Sequence, residues 1–268
     1  MRVVSLVPSL TEAVAVTLPG VLAGATDWCS RPAGLDVTRV GGTKNPKTDR
    51  IIALAPDLVI ANEEENRAPD LDALRAAGVE VLVTEVRDVP QAFCELDRVL
   101  TACGARSRPR WLDEAEAAWA SPPSPFLASA VSQPSRPSTR SLPSPPSLPS
   151  PPLPERRATA VVPVWRRPWM VLGRDTFAGD VLARLGVDHL YAHHADRYPR
   201  VPLDELVAAR PDLVVLPDEP YRFTADDGPE AFPGLRCALV SGRHLTWYGP
   251  SLAEAPAVLG AALRAAVR

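Results

Sequence analysis

Four histidines, His189, His193, His194 and His244, carry the widest chemical range in this chain, and the first three stand as H-x-x-x-H-H. On a helix that spacing would put two imidazoles on one face, as a zinc site requires. No Glu follows the first as in HExxH, however, and Tyr191-Ala192 reads as a strand running into a loop. A surface loop is therefore expected there. Cys29, Cys94, Cys103 and Cys237 lack CxxC spacing and read as free thiols. No G-x-S-x-G elbow, P-loop or GxGxxG occurs, so no catalytic set, metal ligand or cofactor is assigned and an enzyme is not expected. What the chain offers is aromatic. Trp165, Trp169, Tyr198, Trp247 and Tyr248 fall near the ends of expected strands, where the loops of an open parallel sheet gather around a ligand. Arg166, Arg167 and Arg243 would add selection for anionic character, by charge and by stacking. Glu63, just past an expected strand, completes the candidate ligand set.

The elements that would position these residues come in two copies. Residues 49–60, DRIIALAPDLVI, are echoed without a gap by residues 204–215, DELVAARPDLVV, with Asp, Ala, Pro, Asp, Leu and Val kept at one constant interval. Each copy predicts an amphipathic helix stopped by Pro56 or Pro211, then a β-branched run suited to a buried parallel strand. The interval is too long for a solenoid, and two similar α/β lobes sharing a ligand cleft follow. Around the copies, residues 3–7 predict a first strand, and Ser9 with Glu12 a capping box for the next helix. Helices are expected over 70–77, 89–103 and 109–119, and strands over 79–84, 159–164 and 235–241. A last, alanine-rich helix is expected to start at Pro250.

Composition sets the limits. The 268 residues are 46% hydrophobic with a formal net charge of −3, enough for real cores and without the basic excess of a nucleic-acid binder. Residues 121–158 are dominated by Pro and Ser with little charge, a composition expected to remain a disordered insert. The expected division is an N-terminal lobe over 1–106, a connecting helix over 107–120, that insert, and a C-terminal lobe over 159–268. Met1-Arg2 runs straight into the first expected strand, leaving no signal peptide or lipid anchor in the chain as written. Cytoplasmic residence is the expectation, with an extracytoplasmic one if the start codon is misplaced.

Three phrases together resemble a known family. Arg2-Val3-Val4-Ser5-Leu6-Val7-Pro8-Ser9-Leu10-Thr11-Glu12, residues 50–60, and residues 201–206 with 210–215 look like the helical-backbone substrate-binding proteins of ABC importers. These are receptors for cobalamin and ferric siderophores. The resemblance implies two Rossmann-like lobes with mainly parallel sheets, one helix joining them, and a ligand held in the interlobe cleft. It also implies an aromatic ligand contact at Tyr198, with Trp169, Trp247 and Tyr248 in matching or neighbouring loops. Asp49 and Asp204 correspond to the acidic residues with which such proteins grip arginines of the permease. The expected function is capture of a metal chelate (cobalamin, a ferric siderophore or haem) by a monomer that serves an ABC-transporter permease. Two alternatives are a cytoplasmic chelate sensor without a transporter, and a metal- or tetrapyrrole-processing enzyme on a related fold.

Overall fold

The structure is a computed structural model and describes residues 1–120 and 157–267. Nearly all of the expected insert lies outside the described residues. The first lobe is a parallel sheet of β1 (Val3–Ser5), β2 (Leu22–Ala25), β3 (Thr38–Arg39), β4 (Leu58–Asn62) and β5 (Val81–Thr84), in the order β3-β2-β1-β4-β5. Its helices are α1 (Pro8–Thr17), α2 (Thr48–Ala53), α3 (Ala68–Ala76) and α4 (Val89–Ala102). After α5 (Arg110–Ala120), the second lobe builds a parallel sheet of β6 (Ala158–Val161), β9 (Val187–His189), β10 (Leu213–Pro217) and β11 (Cys237–Val240), in the order β11-β10-β6-β9. A separate antiparallel hairpin, β7 (Pro163–Arg166) with β8 (Trp169–Val171), stands beside it. The remaining helices are α6 (Phe177–Arg184), α7 (Leu203–Ala208), α8 (Gly242–Thr246) and α9 (Ala255–Val267).

The internal repeat is a repeat of structure. The constant interval that relates Asp49 to Asp204 also carries α2 onto α7 and β4 onto β10, end for end. Even the strained joint recurs: Ala55 and Arg210, each before its proline, sit at φ 44° and 45°. Proline bars the preceding residue from continuing the helix, and the left-handed turn throws the chain into the strand. Asp57 and Asp212 then accept equivalent backbone N–H bonds, from Arg2 at 2.6 Å and Thr159 at 2.9 Å, which tie each copy to the central strand of its sheet.

Three expectations are corrected. Ser9 and Glu12 form no capping box, because Pro8 occupies the first helical turn and no side chain caps the N-terminus of α1. Glu12 is instead buried and reaches Arg243 of the other lobe. The strand expected over 159–164 breaks after Val161: β6 stays in the sheet, and the chain leaves it at Val162 to enter the hairpin. A 3-10 turn, Pro250–Ala253, precedes the last helix, which starts only at Ala255.

One apolar core runs through both lobes. Val3, Leu10 and Ile60, Leu96 and Leu100 of α4, Leu112 and Trp119 of α5, Val181 of α6 and Leu259 of α9 belong to a single buried cluster. Two smaller clusters lie on other faces of the two sheets, one around Val4 and Leu74, the other around Val214 and Phe232. Helix α5 is fastened at both ends by indole N–H groups. Trp111 Nε1 donates to Thr17 Oγ1 of the first lobe, and Trp119 Nε1 to the Leu252 carbonyl of the second, both at 3.0 Å. Among the described residues no helix is long and apolar enough to cross a membrane.

Candidate functional site: the cleft between the lobes

Several contacts between the lobes come from loops after strands and from the first turns of the helices that follow. Glu63 and Glu64, directly after β4, meet Arg197 and Tyr198 from the long connection after β9. Arg197 Nη1 lies 3.2 Å from Glu63 Oε1, its other terminal nitrogen pairs with Glu64, and the Tyr198 hydroxyl donates to Glu64 Oε2 at 3.2 Å. Arg243, just past β11, donates to Glu12 of α1 at 2.6 Å. The Val89 N–H at the start of α4 is accepted by Asp180 of α6 at 2.8 Å. The carboxyl ends of the two sheets therefore face each other, which is where open parallel sheets present ligand-binding loops.

Burial gives these groups distinct electrostatics. Desolvation pushes the Glu64 carboxyl above the usual range, although Arg197 and the Tyr198 hydroxyl pull the other way. Glu65 is raised for the same leading reason, opposed by Lys44. Across the cleft Glu219, after β10, is also raised by burial, while the Trp247 indole donates to it at 2.9 Å and Arg243 and Arg31 favour its charge. Tyr248 is buried, its ring edge-on to Phe177 and its hydroxyl against Ser9 and Thr84 of the first lobe. Burial foremost, then the charges of Glu65 and Glu64, hold that phenol neutral.

The structure divides the sequence-derived candidates into groups. Glu63 and Tyr198 come together at one side of the cleft; Arg243 and Trp247 gather around Glu219 at another; Tyr248 lies against Ser9 and Thr84 and feels the charges of Glu65 and Glu64. Trp165 and Trp169 belong to the β7–β8 hairpin with Arg166. There Trp169 stacks on Phe223 and meets Phe232 edge-on, while Trp165 meets Tyr221 edge-on and stays 43% exposed. Arg166 sits over the Trp169 ring and pairs with Asp227 and Glu230; Arg243 pairs with Glu12 and Glu254. Both guanidinium groups are thus already matched by carboxylates. Asp49 and Asp204 are exposed at the same position of α2 and α7, away from these contacts. His189 ends β9 and is buried, so the expected loop holds only His193 and His194. Among the described residues no group of three or more His, Cys, Asp or Glu is placed to hold a metal ion.

Sequence reasoning missed several members. Trp28, in the loop after β2, is 68% exposed with its indole nitrogen against Gly42. Nothing in its neighbours signals that a tryptophan there stays bare. Arg197 and Glu219 have no role in the sequence reading, and Glu12 is read there only as a helix cap. Glu219 alone had a legible sign, since the repeat interval that relates Asp49 to Asp204 also relates Glu64 to Glu219.

The fold is one that this chain shares with two-lobed periplasmic binding proteins of known structure, in line with the expected resemblance. The periplasmic heme-binding protein RhuT from Roseiflexus sp. RS-1 superposes with a TM-score of 0.73 at 20% identity, covering 100% of this chain and 99% of that one. The periplasmic heme-binding protein BhuT, solved with two hemes, gives 0.75 at 22% identity over 100% and 99%. The periplasmic vitamin B12-binding protein BtuF of Vibrio cholerae gives 0.69 at 16% over 99% and 97%. In sequence, the vitamin B12-binding protein of Yersinia pestis (strain Pestoides F) is 31% identical over 100 residues, 37% of this chain and 36% of that protein. The chain thus matches about a third of the length of the curated relatives it resembles. No protein-family model matches the chain. These relatives are binding proteins. The expectation of cytoplasmic residence does not stand, because the solved proteins that share this fold are periplasmic and point to an extracytoplasmic location.

Proposed function

We propose that this chain captures a metal chelate, of the cobalamin, ferric-siderophore or haem kind, in the interlobe cleft and delivers it outside the cytoplasm to an ABC-transporter permease. The reading rests foremost on one observation: two duplicated lobes turn their loop-bearing ends toward each other and leave Trp28 and Tyr198 in those loops at 68% and 37% exposure, with Trp165 of the β7–β8 hairpin at 43%. Such aromatic faces give apolar contact and stacking to a bulky ligand. Its action is binding, with no bond made or broken. Asp49 and Asp204 would dock the permease, one from each lobe, since the repeat sets both at the same exposed helix position. The test is a titration of the purified chain with cyanocobalamin, haemin and ferrichrome, followed by tryptophan fluorescence and melting. At least one should quench the indoles and, at 100 times Kd, stabilise the fold by about 2.7 kcal/mol. An Asp49→Ala/Asp204→Ala variant should keep that affinity and lose association with a permease in vesicles. Absence of both quenching and a thermal shift across the panel would sink the reading.

A further inference from the structure

Four arginines around the carboxyl ends of the sheets are each met by more than one carboxylate. Arg197 holds Glu63 and Glu64; Arg243 holds Glu12 at 2.6 Å and Glu254 at 3.5 Å; Arg166 holds Asp227 and Glu230; Arg87 holds Glu63 at 3.5 Å and Glu85. Glu63 is shared by Arg87 and Arg197, so these four arginines face seven carboxylates. The excess is built into the duplication. Glu64 and Glu219 are repeat-equivalent, each takes a hydrogen bond from an aromatic side chain, Tyr198 or Trp247, and burial raises the pKa of both. A chelate with an anionic rim would have to strip a carboxylate from its arginine or lie against uncompensated negative charge where water is partly excluded. Both are costly in a medium less polar than water. A rim of amide N–H groups or a positive charge meets the same carboxylates favourably, and refusal of the anion is as much a part of selectivity as attraction of the cation.

We infer that the cleft selects metal chelates whose periphery is uncharged amide or cationic, and discriminates against polycarboxylate and catecholate chelates of similar size. The inference rests on the chelate-capture reading and refines its substrate class. Two matched pairs test it: dicyanocobinamide against dicyanocobyrinic acid heptacarboxylate, and ferrioxamine B, a cation, against ferric enterobactin, a trianion. In whichever pair binds, the amide corrinoid or the cationic ferric complex should bind at least about tenfold more tightly than its anionic counterpart. A Glu64→Gln/Glu219→Gln variant with an unchanged melting temperature should shrink that ratio by about threefold or more. Equal or tighter binding of the anionic partners, or a ratio that the double variant leaves untouched, overturns the charge inference and leaves chelate capture standing. Failure of all four to bind overturns this inference, while chelate capture stands or falls separately with cyanocobalamin, haemin and ferrichrome.

Discussion

His189 shows how one side chain can report on packing. It closes β9 under α6, where a Cβ on Gly179 would meet its Nε2 at 2.8 Å, so glycine is what lets the imidazole lie against the helix. Burial leads the causes that hold its pKa below the ordinary 6.5; His193 pushes the same way, while Asp188 and a bond with the Leu172 backbone oppose. The folded protein therefore keeps His189 neutral, whereas the unfolded chain takes up a proton as pH falls through that ordinary value. Its stability contribution is fully present above about pH 6.5 and declines as pH falls below it, by at most about 1.4 kcal/mol per pH unit. Melting temperature measured between pH 7.5 and 5 should drop on the acid side, and His189→Gln should flatten that limb. Parallel curves for the two proteins would mean that the imidazole is not held neutral. The residue type was legible in the sequence; its burial was not, because the same H-x-x-x-H-H reads equally well as loop.

At the scale of the element, α5 carries the connection between lobes. Its apolar face, Leu112, Ala115 and Trp119, is buried, and its two indoles fasten opposite ends to opposite lobes. Trp119→Phe removes one hydrogen bond, leaves the Leu252 carbonyl unmet, and should cost about 1 to 2 kcal/mol. Trp119→Ala also opens a cavity and should cost about 3 to 5 kcal/mol. Urea unfolding reads both as a lowered midpoint, with the slope of the transition held for Trp119→Phe. A neutral Trp119→Ala would show that the lobes do not depend on this strut. The helix itself was readable from its period and from the proline at its start, but the partners of its indoles, Thr17 and Leu252, lie far away along the chain and left no local trace. The same holds for α4, whose expected N-terminus is capped by Asp88 at 2.7 Å, a local device, and by Asp180 from the other lobe, which is not.

For the whole molecule, the decisive link is the pair of Glu12 and Arg243. Glu12 is buried at the interface of the lobes and Arg243 forks onto it with bonds of 2.6 and 3.3 Å. Taking away one partner strands the other charge, so Arg243→Met should destabilise by about 3 to 5 kcal/mol. The double variant Glu12→Gln/Arg243→Met should recover most of that loss, because the desolvation cost of the pair disappears together with its attraction. A double-mutant cycle by chemical denaturation measures the coupling. Simple additivity would place the two side chains in separate environments and remove this link from the account of how the lobes are held. Because one apolar core also spans both lobes, unfolding is expected as a single transition.

The sequence by itself determined the two-lobed α/β plan, since a helix, a proline and a buried strand repeated at one interval leave few other ways to bury two sets of apolar residues. It also placed Asp49 and Asp204 as equivalents, and it put Trp165, Trp169, Tyr198, Trp247 and Tyr248 forward as candidate ligand contacts. Only the tertiary structure decided what each charge is for. Glu12 turned from a helix cap into an interlobe ion pair, Arg166 and Arg243 from expected anion receptors into partners of carboxylates, and Glu64 with Glu219 into a related pair across the cleft. Strand and helix periods are written within a few residues of chain, whereas the neutralisation of a charge depends on groups that folding alone brings within a few ångströms.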